Sequence, residues 1–189
     1  GKFYARGQSK GIVFRDLAGR LAQAQGGSIR EVAEIKSAPG DAAGYACHAV
    51  EVAVDQETGQ VRINKAVVVH DVGYAVNPIG LTGQIEGGFM QGLGMGLMEE
   101  MDHDGGRPRA VNFDSYKMPC VPDIPPISIQ LIENRDGPGP FGAKGIGEIA
   151  GTPTAPAIAN AVENADGVRI FDLPVTAEKV LEGIRQRQR

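Results

Sequence analysis

Seven glycines fall within one helix-length segment, residues 77–101, and they strongly constrain what this chain can fold into. Asn77 and Pro78 open this segment, which has the length of a helix and ends at residue 101. Each glycine inside a helix costs about 1 kcal/mol relative to alanine. A helix with this composition therefore persists only if something packs very closely against it.

The spacing of residues within this segment separates two faces of the expected helix. One face is bulky and apolar and is expected to be buried: Ile85, Phe89, Leu93 and Leu97. The other face is small and carries two amides that can bond a ligand: Gln84, Gly87, Gly88, Gln91 and Met95. Two interpretations stay open, namely tight contact between elements through glycine and a ligand-binding surface.

A second glycine-rich segment, residues 142–148, reads Gly-Ala-Lys-Gly-Ile-Gly-Glu. Its three glycines allow φ > 0 and a close approach of the backbone to a bulky ligand. Thr152 is a good N-cap and Pro153 a good first residue for a helix that follows. Glu148 would then sit at a fixed place beside the ligand, as a general base requires. A phosphate site and a simple tight turn are the alternative interpretations.

The remaining pattern predicts an α+β fold. Alternating apolar residues predict a β-hairpin over 45–72 and a strand over 127–132. Helical spacing predicts the following helices: 11–24, 153–165 with Gly167 as its C-cap, and 177–187. Pro39 and Gly40 mark a turn. We expect the hairpin and a short mixed sheet to be packed by the glycine-rich helix 78–101 and by the C-terminal helices.

Composition narrows the function classes. A net charge of −4 and a pI near 5.4 argue against nucleic-acid partners and against an anionic membrane surface. No apolar run is long enough to span a bilayer, and no secretory segment is present, so a cytoplasmic location is expected. Two cysteines and three scattered histidines give no metal-ligand spacing, so no metal is expected to be ligated by this chain. Because it begins at Gly1 in structured-looking sequence, we expect it to be a piece of a longer protein.

Four blocks, in this order, resemble the C-terminal part of the molybdenum-cofactor-binding large subunit of the xanthine dehydrogenase and aldehyde oxidase family. They are residues 44–47, residues 71–73 with 76–78, residues 84–94, and residues 142–148. The alanine-rich stretch 155–161 is also typical of that family. The resemblance runs from about Gly44 to Leu181. Four ordered blocks are far more specific than any one of them.

The resemblance implies roles for residues in both glycine-rich segments. Gln84 matches a glutamine that hydrogen-bonds the molybdenum–pterin cofactor, which is molybdopterin or its dinucleotide form. Glu148 matches a glutamate that faces the metal and acts as general base. The other cofactor-binding residues implied by the resemblance belong to the same helix and loop: Gly87, Gly88, Lys144, Gly145 and Gly147.

The resemblance also implies an activity and partners. Residues 1–189 would be the C-terminal portion of a molybdopterin-binding domain, as a fragment or split subunit, with residues 1–44 a poorly assigned lead-in segment. The complete enzyme would oxidise an aldehyde or N-heterocycle with oxygen derived from water. Its partners would be the remainder of the large subunit and subunits or domains that carry iron–sulfur clusters and FAD. The isolated chain would be inactive.

Two alternatives remain for the chain as a whole. One is a cofactor-free structural or binding module of the same ancestry. The other is a nucleotide site at the second glycine-rich segment. The spacing there fits neither the GxxxxGK[ST] loop nor a strand followed by GxGxxG, which makes the nucleotide interpretation the weaker one.

Overall fold

The computed structural model describes residues 1–34 and 44–188, and the chain divides into two compact units, residues 1–38 and 39–189. The predicted turn at Pro39 and Gly40 lies outside the described residues. In the first unit, β1 (Lys2–Phe3) pairs antiparallel with β2 (Ile12–Val13), and α1 (Phe14–Ala24) follows. The helix predicted over 11–24 begins three residues later because its first residues pair as a strand.

The second unit contains the predicted hairpin and three α-helices. In chain order its elements are β3 (Ala46–Val54), β4 (Val61–Asp71), α2 (Pro78–Leu97), β5 (His103–Asp104), β6 (Arg107–Pro108), β7 (Ile127–Ile132), α3 (Thr154–Asp166) and α4 (Ala177–Arg187). Strand β4 is central, antiparallel to β3 and parallel to β7. The predicted α+β class with a short mixed sheet is therefore confirmed. The fold positions the ends of β4 and β7 side by side.

Helix α2 packs its bulky face on the sheet, as its spacing predicts. Ile85, Phe89 and Leu93 are buried in one core cluster with Ala66 and Val68 of β4. Asn77 caps the helix, since its side-chain oxygen accepts from the amide of Gly80 at 3.1 Å. The predicted end at residue 101 is wrong. The helix ends at Leu97 because two successive amides, at residues 98 and 99, both bond to the carbonyl of residue 94.

A second core cluster joins the two C-terminal helices. It consists of Val162, Val168, Val175, Val180 and Ile184. Gly167 ends α3 in the left-handed conformation, with φ of 68°, and this confirms the predicted C-cap. Across residues 1–34 and 44–188, no helix combines the length and apolar composition needed to cross a membrane.

Candidate functional site

The loop 142–148 lies against the end of β4. The amide of Lys144 donates to the carbonyl of Val72 at 3.0 Å. Gly73 and Gly142 have φ of +65° and +82°, and a Cβ on Gly73 would overlap the carbonyl oxygen of Gly142. Both positions therefore require glycine for the chain to pass so closely. Positive φ was expected at all three loop glycines, but Gly142 is the only one of the three that adopts it.

The side chain of Lys144 points into the protein. Its Nζ lies 2.7 Å from Asp71 Oδ2 and 2.8 Å from Asp136 Oδ1, and its side chain is 3% exposed. The hydrogen bond from Lys144 holds the pKa of Asp71 below its usual value. The bond to Asp136, followed by the one to Asp71, raises the pKa of Lys144. Both groups are charged near neutral pH, and the ammonium is committed to contacts within the protein.

The glycine-rich helix and the glycine-rich loop meet through Gln84. Its Nε2 donates to the carbonyl oxygen of Gly147 at 3.1 Å. This contact holds the residue that directly precedes Glu148. The two segments with the most informative sequence patterns are thus adjacent in space, although 63 positions separate the bonded residues.

Glu148 is exposed and borders a cleft of about 450 Å³ between α2 and the start of α3. Gln91 and Met95 of α2 line the opposite wall. The backbone at Glu148 is held in a turn, since its carbonyl accepts from the amide of Gly151 at 3.0 Å. It also accepts from the hydroxyl of Thr152 at 3.3 Å. Glu148 therefore lines the cleft from a backbone that is held in place.

The predicted N-cap at Thr152 is wrong. Helix α3 begins at Thr154, and Pro153 is its N-cap residue. The hydroxyl of Thr152 faces back to the carbonyl of Glu148 instead of forward to the helix amides. The residues that follow Glu148 are consequently a turn, which completes the wall of the cleft.

The glycines of α2 serve two different purposes. A Cβ on Gly88 would lie 2.5 Å from the Cβ of Ala150, and one on Gly92 would lie 2.6 Å from the carbonyl oxygen of Gly151. Tight contact between elements therefore explains these two. A Cβ on Gly87 would meet no atom within 4 Å. The structure places Gly88 in the interior and Gly87 on the surface, so it does not bring these two site residues together.

Three of the predicted site glycines are exposed and have open space where a Cβ would lie. A Cβ on Gly87, Gly145 or Gly147 would meet nothing within 4 Å in the described part of the chain, and none of the three has positive φ. The protein's own packing thus gives no reason for glycine at these positions. The side-chain amide of Gln84 contacts Gly147, and the open space at these three glycines would let a flat, bulky group approach the backbone closely; we refer to these positions as the open glycine surface. The residues present fit a pterin-type cofactor on this criterion.

A buried histidine pair was not predicted from the sequence. His48 Nε2 and His70 Nε2 lie 3.0 Å apart, and His48 Nδ1 lies 3.1 Å from the hydroxyl of Thr154. Burial, with a smaller contribution from His70, lowers the pKa of His48 to about 4. Burial also lowers the pKa of His70. The histidines were interpreted as scattered, but His70 continues the alternation of Ala66 and Val68 on the buried face of β4, which was the available signal.

A family model described as the molybdopterin cofactor-binding domain matches residues 1–125. Among curated proteins, the chain is 37% identical over 160 residues to the putative xanthine dehydrogenase molybdenum-binding subunit of Escherichia coli strain K12. That match covers 84% of this chain and 21% of the relative. The chain is 36% identical over 142 residues to a nicotinate dehydrogenase subunit of Pseudomonas putida, covering 75% of this chain and 12% of the relative.

Among solved structures, the aldehyde oxidoreductase from Desulfovibrio gigas matches with a TM-score of 0.70 and 35% identity. This match covers 75% of the present chain and 15% of that protein. The chain therefore spans about a fifth or less of the length of the proteins that it resembles.

Proposed function

Because the chain belongs to the molybdopterin cofactor-binding domain family, we propose that it forms part of the molybdenum-binding large subunit of a hydroxylase. The proposed reaction is the oxidation of an aldehyde or an N-heterocycle with oxygen derived from water. Relatives named for xanthine and nicotinate, and a structural neighbour named for aldehydes, support this substrate class. The observation that carries the proposal is the contact of Gln84 with Gly147, which presents Glu148 beside the open glycine surface.

We place the cofactor on that surface. Gln84 would orient it with its side-chain amide, and the backbones at Gly87, Gly145 and Gly147 would lie against it. Among the described residues, the amides of Gly145 and Gly147 have no hydrogen-bond acceptor and are available as donors. When bound, the molybdenum cofactor supplies the two-electron oxidation, while the protein binds, orients and tunes it. Gly88 stabilises this arrangement from inside, by allowing α2 to approach Ala150.

Glu148 is the proposed general base. It would accept the proton released as water-derived oxygen is transferred to the substrate carbon. Its backbone carbonyl bonds to two groups of the following turn, which fixes the position from which the carboxylate acts. A positioned general base contributes about 10²- to 10⁴-fold to a reaction rate.

The test is Glu148→Gln in the molybdenum-containing complex, purified with its partner subunits. Molybdenum per protomer should equal that of the wild type, and turnover should fall by about 10²- to 10⁴-fold. Glu100→Gln is the matched control, since Glu100 is an exposed glutamate just past the end of α2. Unchanged turnover in a fully loaded Glu148→Gln complex would rule out the assignment.

Electrons would leave through partner subunits or domains. The sequence holds two cysteines, fewer than the four that iron–sulfur clusters commonly use, so the iron–sulfur clusters are placed on partners, as is the FAD that the family resemblance implies.

A cofactor-free module is the second candidate, because close packing alone accounts for the glycines at 88 and 92. Molybdenum analysis of the complex separates the two: near-stoichiometric metal supports the hydroxylase, and an intact complex without molybdenum supports the module.

A further inference from the structure

We infer that Lys144 positions the loop that carries Glu148, through a buried ion cluster with Asp71 and Asp136. The resemblance places Lys144 among the cofactor-binding residues through its backbone, and the structure gives its side chain a separate task. The effect on catalysis rests on the proposed role of Glu148. The anchoring of the loop stands independently of that role.

The cluster joins three segments of the chain. Asp71 is the last residue of β4, Asp136 lies beyond the end of β7, and Lys144 is in the glycine-rich loop. The ammonium contacts both carboxylates, at 2.7 Å and 2.8 Å. A lysine ammonium has three N–H donors and no acceptor, so two carboxylates use most of its bonding capacity. With 3% of the side chain exposed, Lys144 has little access to an external phosphate.

The two carboxylates are held differently. Asp71 is 11% exposed, its Oδ1 accepts from the amide of Gly73 at 3.2 Å, and its Oδ2 lies 3.4 Å from Asn134 Nδ2. Asp136 is 57% exposed. Solvent screens an exposed partner more than a buried one. The bond to Asp136 raises the pKa of Lys144 more than the bond to Asp71 does, but the exposed Asp136 is open to solvent, which weakens its hold on the ammonium. The better-buried Asp71 is therefore the principal anchor, and Asp136 is the second partner of the ammonium.

The loop is fastened on both sides of its middle residues. On one side, the side chain and the amide of Lys144 bind the end of β4, the amide through the carbonyl of Val72. On the other side, Gln84 binds the carbonyl of Gly147. Between them, a Cβ on Gly145 would contact nothing, whereas Ile146 packs against the core cluster that contains Ile85 and Phe89. Loss of the first anchor leaves Gln84, the packing of Ile146 and the turn after Glu148 to set the position of the carboxylate.

The experiment compares Lys144→Met, Lys144→Arg, Asp71→Asn and Asp136→Asn in the purified complex with its partners. Three quantities are measured: molybdenum per protomer, hydrogen exchange of peptides covering residues 142–151, and kcat and KM with an aldehyde or N-heterocycle that the wild-type complex oxidises. Lys65→Met is the control, because Lys65 is an exposed lysine on β4.

Lys144→Met should accelerate exchange in the loop and, in molybdenum-loaded complex, lower kcat about 100-fold with KM nearly unchanged, as small misplacements of catalytic groups do. Lys144→Arg should restore part of kcat, because it keeps the charge. Asp71→Asn should have a larger effect than Asp136→Asn. If Lys144→Met does not accumulate, the two aspartate variants and Lys144→Arg provide the same comparison.

Loop exchange and kcat equal to those of the wild type in Lys144→Met and Asp71→Asn would overturn the inference. Equal effects of Asp71→Asn and Asp136→Asn would overturn the assignment of the principal anchor. The experiment also distinguishes failure of this inference from failure of the proposed function. If Glu148 is not the general base, Glu148→Gln will retain turnover, and the exchange comparison will still decide whether Lys144 anchors the loop.

Discussion

Gly87 and Gly88 are adjacent and look equivalent in the sequence, but the structure places them in different environments. The first faces open space and the second meets Ala150. Two neighbouring positions on a helix are 100° apart, so periodicity places both near the boundary of a face. Only the location of Ala150, which is distant in sequence, decides which of them is buried. This is why residue spacing found the glycine-rich surface but did not separate its internal part from its exposed part.

Gly88→Ala should destabilise the fold. Its Cβ would lie 2.5 Å from the Cβ of Ala150 and 2.9 Å from the carbonyl carbon of that residue, so the backbone must shift. Overpacking of this kind costs about 1–3 kcal/mol. The free energy of unfolding, measured in urea, should fall by that amount. A variant as stable as the wild type would show that α2 and the turn at Ala150 do not pack this closely.

Gly147→Ala should leave the stability of the fold nearly unchanged but lower the molybdenum content of the complex. A Cβ there meets nothing within 4 Å, and φ is not positive, so the free energy of unfolding should change by less than about 0.5 kcal/mol. If the cofactor lies against this backbone, molybdenum content of the complex should fall, and Gly147→Val should lower it further. Gly19→Ala, at an unfilled glycine of α1, serves as the control for molybdenum content. A fully loaded Val variant would count against close approach at Gly147.

At the scale of whole elements, Asn77 caps α2, although the sequence analysis did not predict it, whereas Thr152, the predicted cap of α3, caps no helix. Asn77→Ala should lower the free energy of unfolding by about 1 kcal/mol, because its oxygen bonds to the amide of Gly80. Thr152→Ala should change it by less than about 0.5 kcal/mol, because its hydroxyl bonds to a turn carbonyl and caps no helix. Urea unfolding of the two variants is the measurement. A larger loss of unfolding free energy in Thr152→Ala would indicate that Thr152 caps α3, as the sequence predicted.

The histidine pair makes the packing of the hairpin on α3 sensitive to pH. The pKa of His48 is lowered to about 4 from an ordinary value of 6.5, and the pKa of His70 is also lowered. Between pH 6.5 and 4 the unfolded chain binds protons that the folded chain does not. The free energy of unfolding should therefore fall as the pH falls through this window, by up to about 3 kcal/mol for His48.

Urea unfolding at several pH values between 7.5 and 4.5 tests this expectation. His103→Gln, which removes an exposed histidine on β5, is the comparison variant. Titration of the imidazole C–H resonances by NMR assigns the effect to individual histidines. Ordinary pKa values for both His48 and His70 would contradict their burial against one another.

Local patterns predicted most elements because local chemistry determines them. The hairpin was predicted from alternation, and the structure closes it with a turn at Asp55, whose carboxylate accepts from two amides. Helix α4 has the predicted bounds, with a hydroxyl cap at Thr176. The parallel pairing of β4 with β7 has no such local signal, since more than 50 residues separate the strands. For the same reason the ion cluster of Lys144 was not predicted, while the roles of Gln84 and Glu148 came from family resemblance.

At the scale of the whole molecule, several large apolar side chains lie on the surface. Ile79, Phe113 and Val121 are 88%, 79% and 81% exposed. Scattered exposure of this kind is common, whereas a contiguous apolar patch marks an interaction surface. In the second unit, Val121 and Ile124 border a cleft with Met90 and Met118, so part of this apolar surface is continuous with the exposed side of α2.

The isolated chain should therefore retain little molybdenum, and the complex should retain nearly one atom per protomer. The described residues supply one side of the proposed cofactor surface, formed by Gln84 and the open glycines, and that surface is exposed. Binding sites for cofactors usually enclose most of the ligand, so a single open wall gives weak affinity. Plasma mass spectrometry of the chain alone and of the complex purified from the native host under mild conditions makes the comparison. Stoichiometric molybdenum on the isolated chain would show that this wall is sufficient, whereas an intact complex without molybdenum would leave Glu148 as an ordinary loop carboxylate.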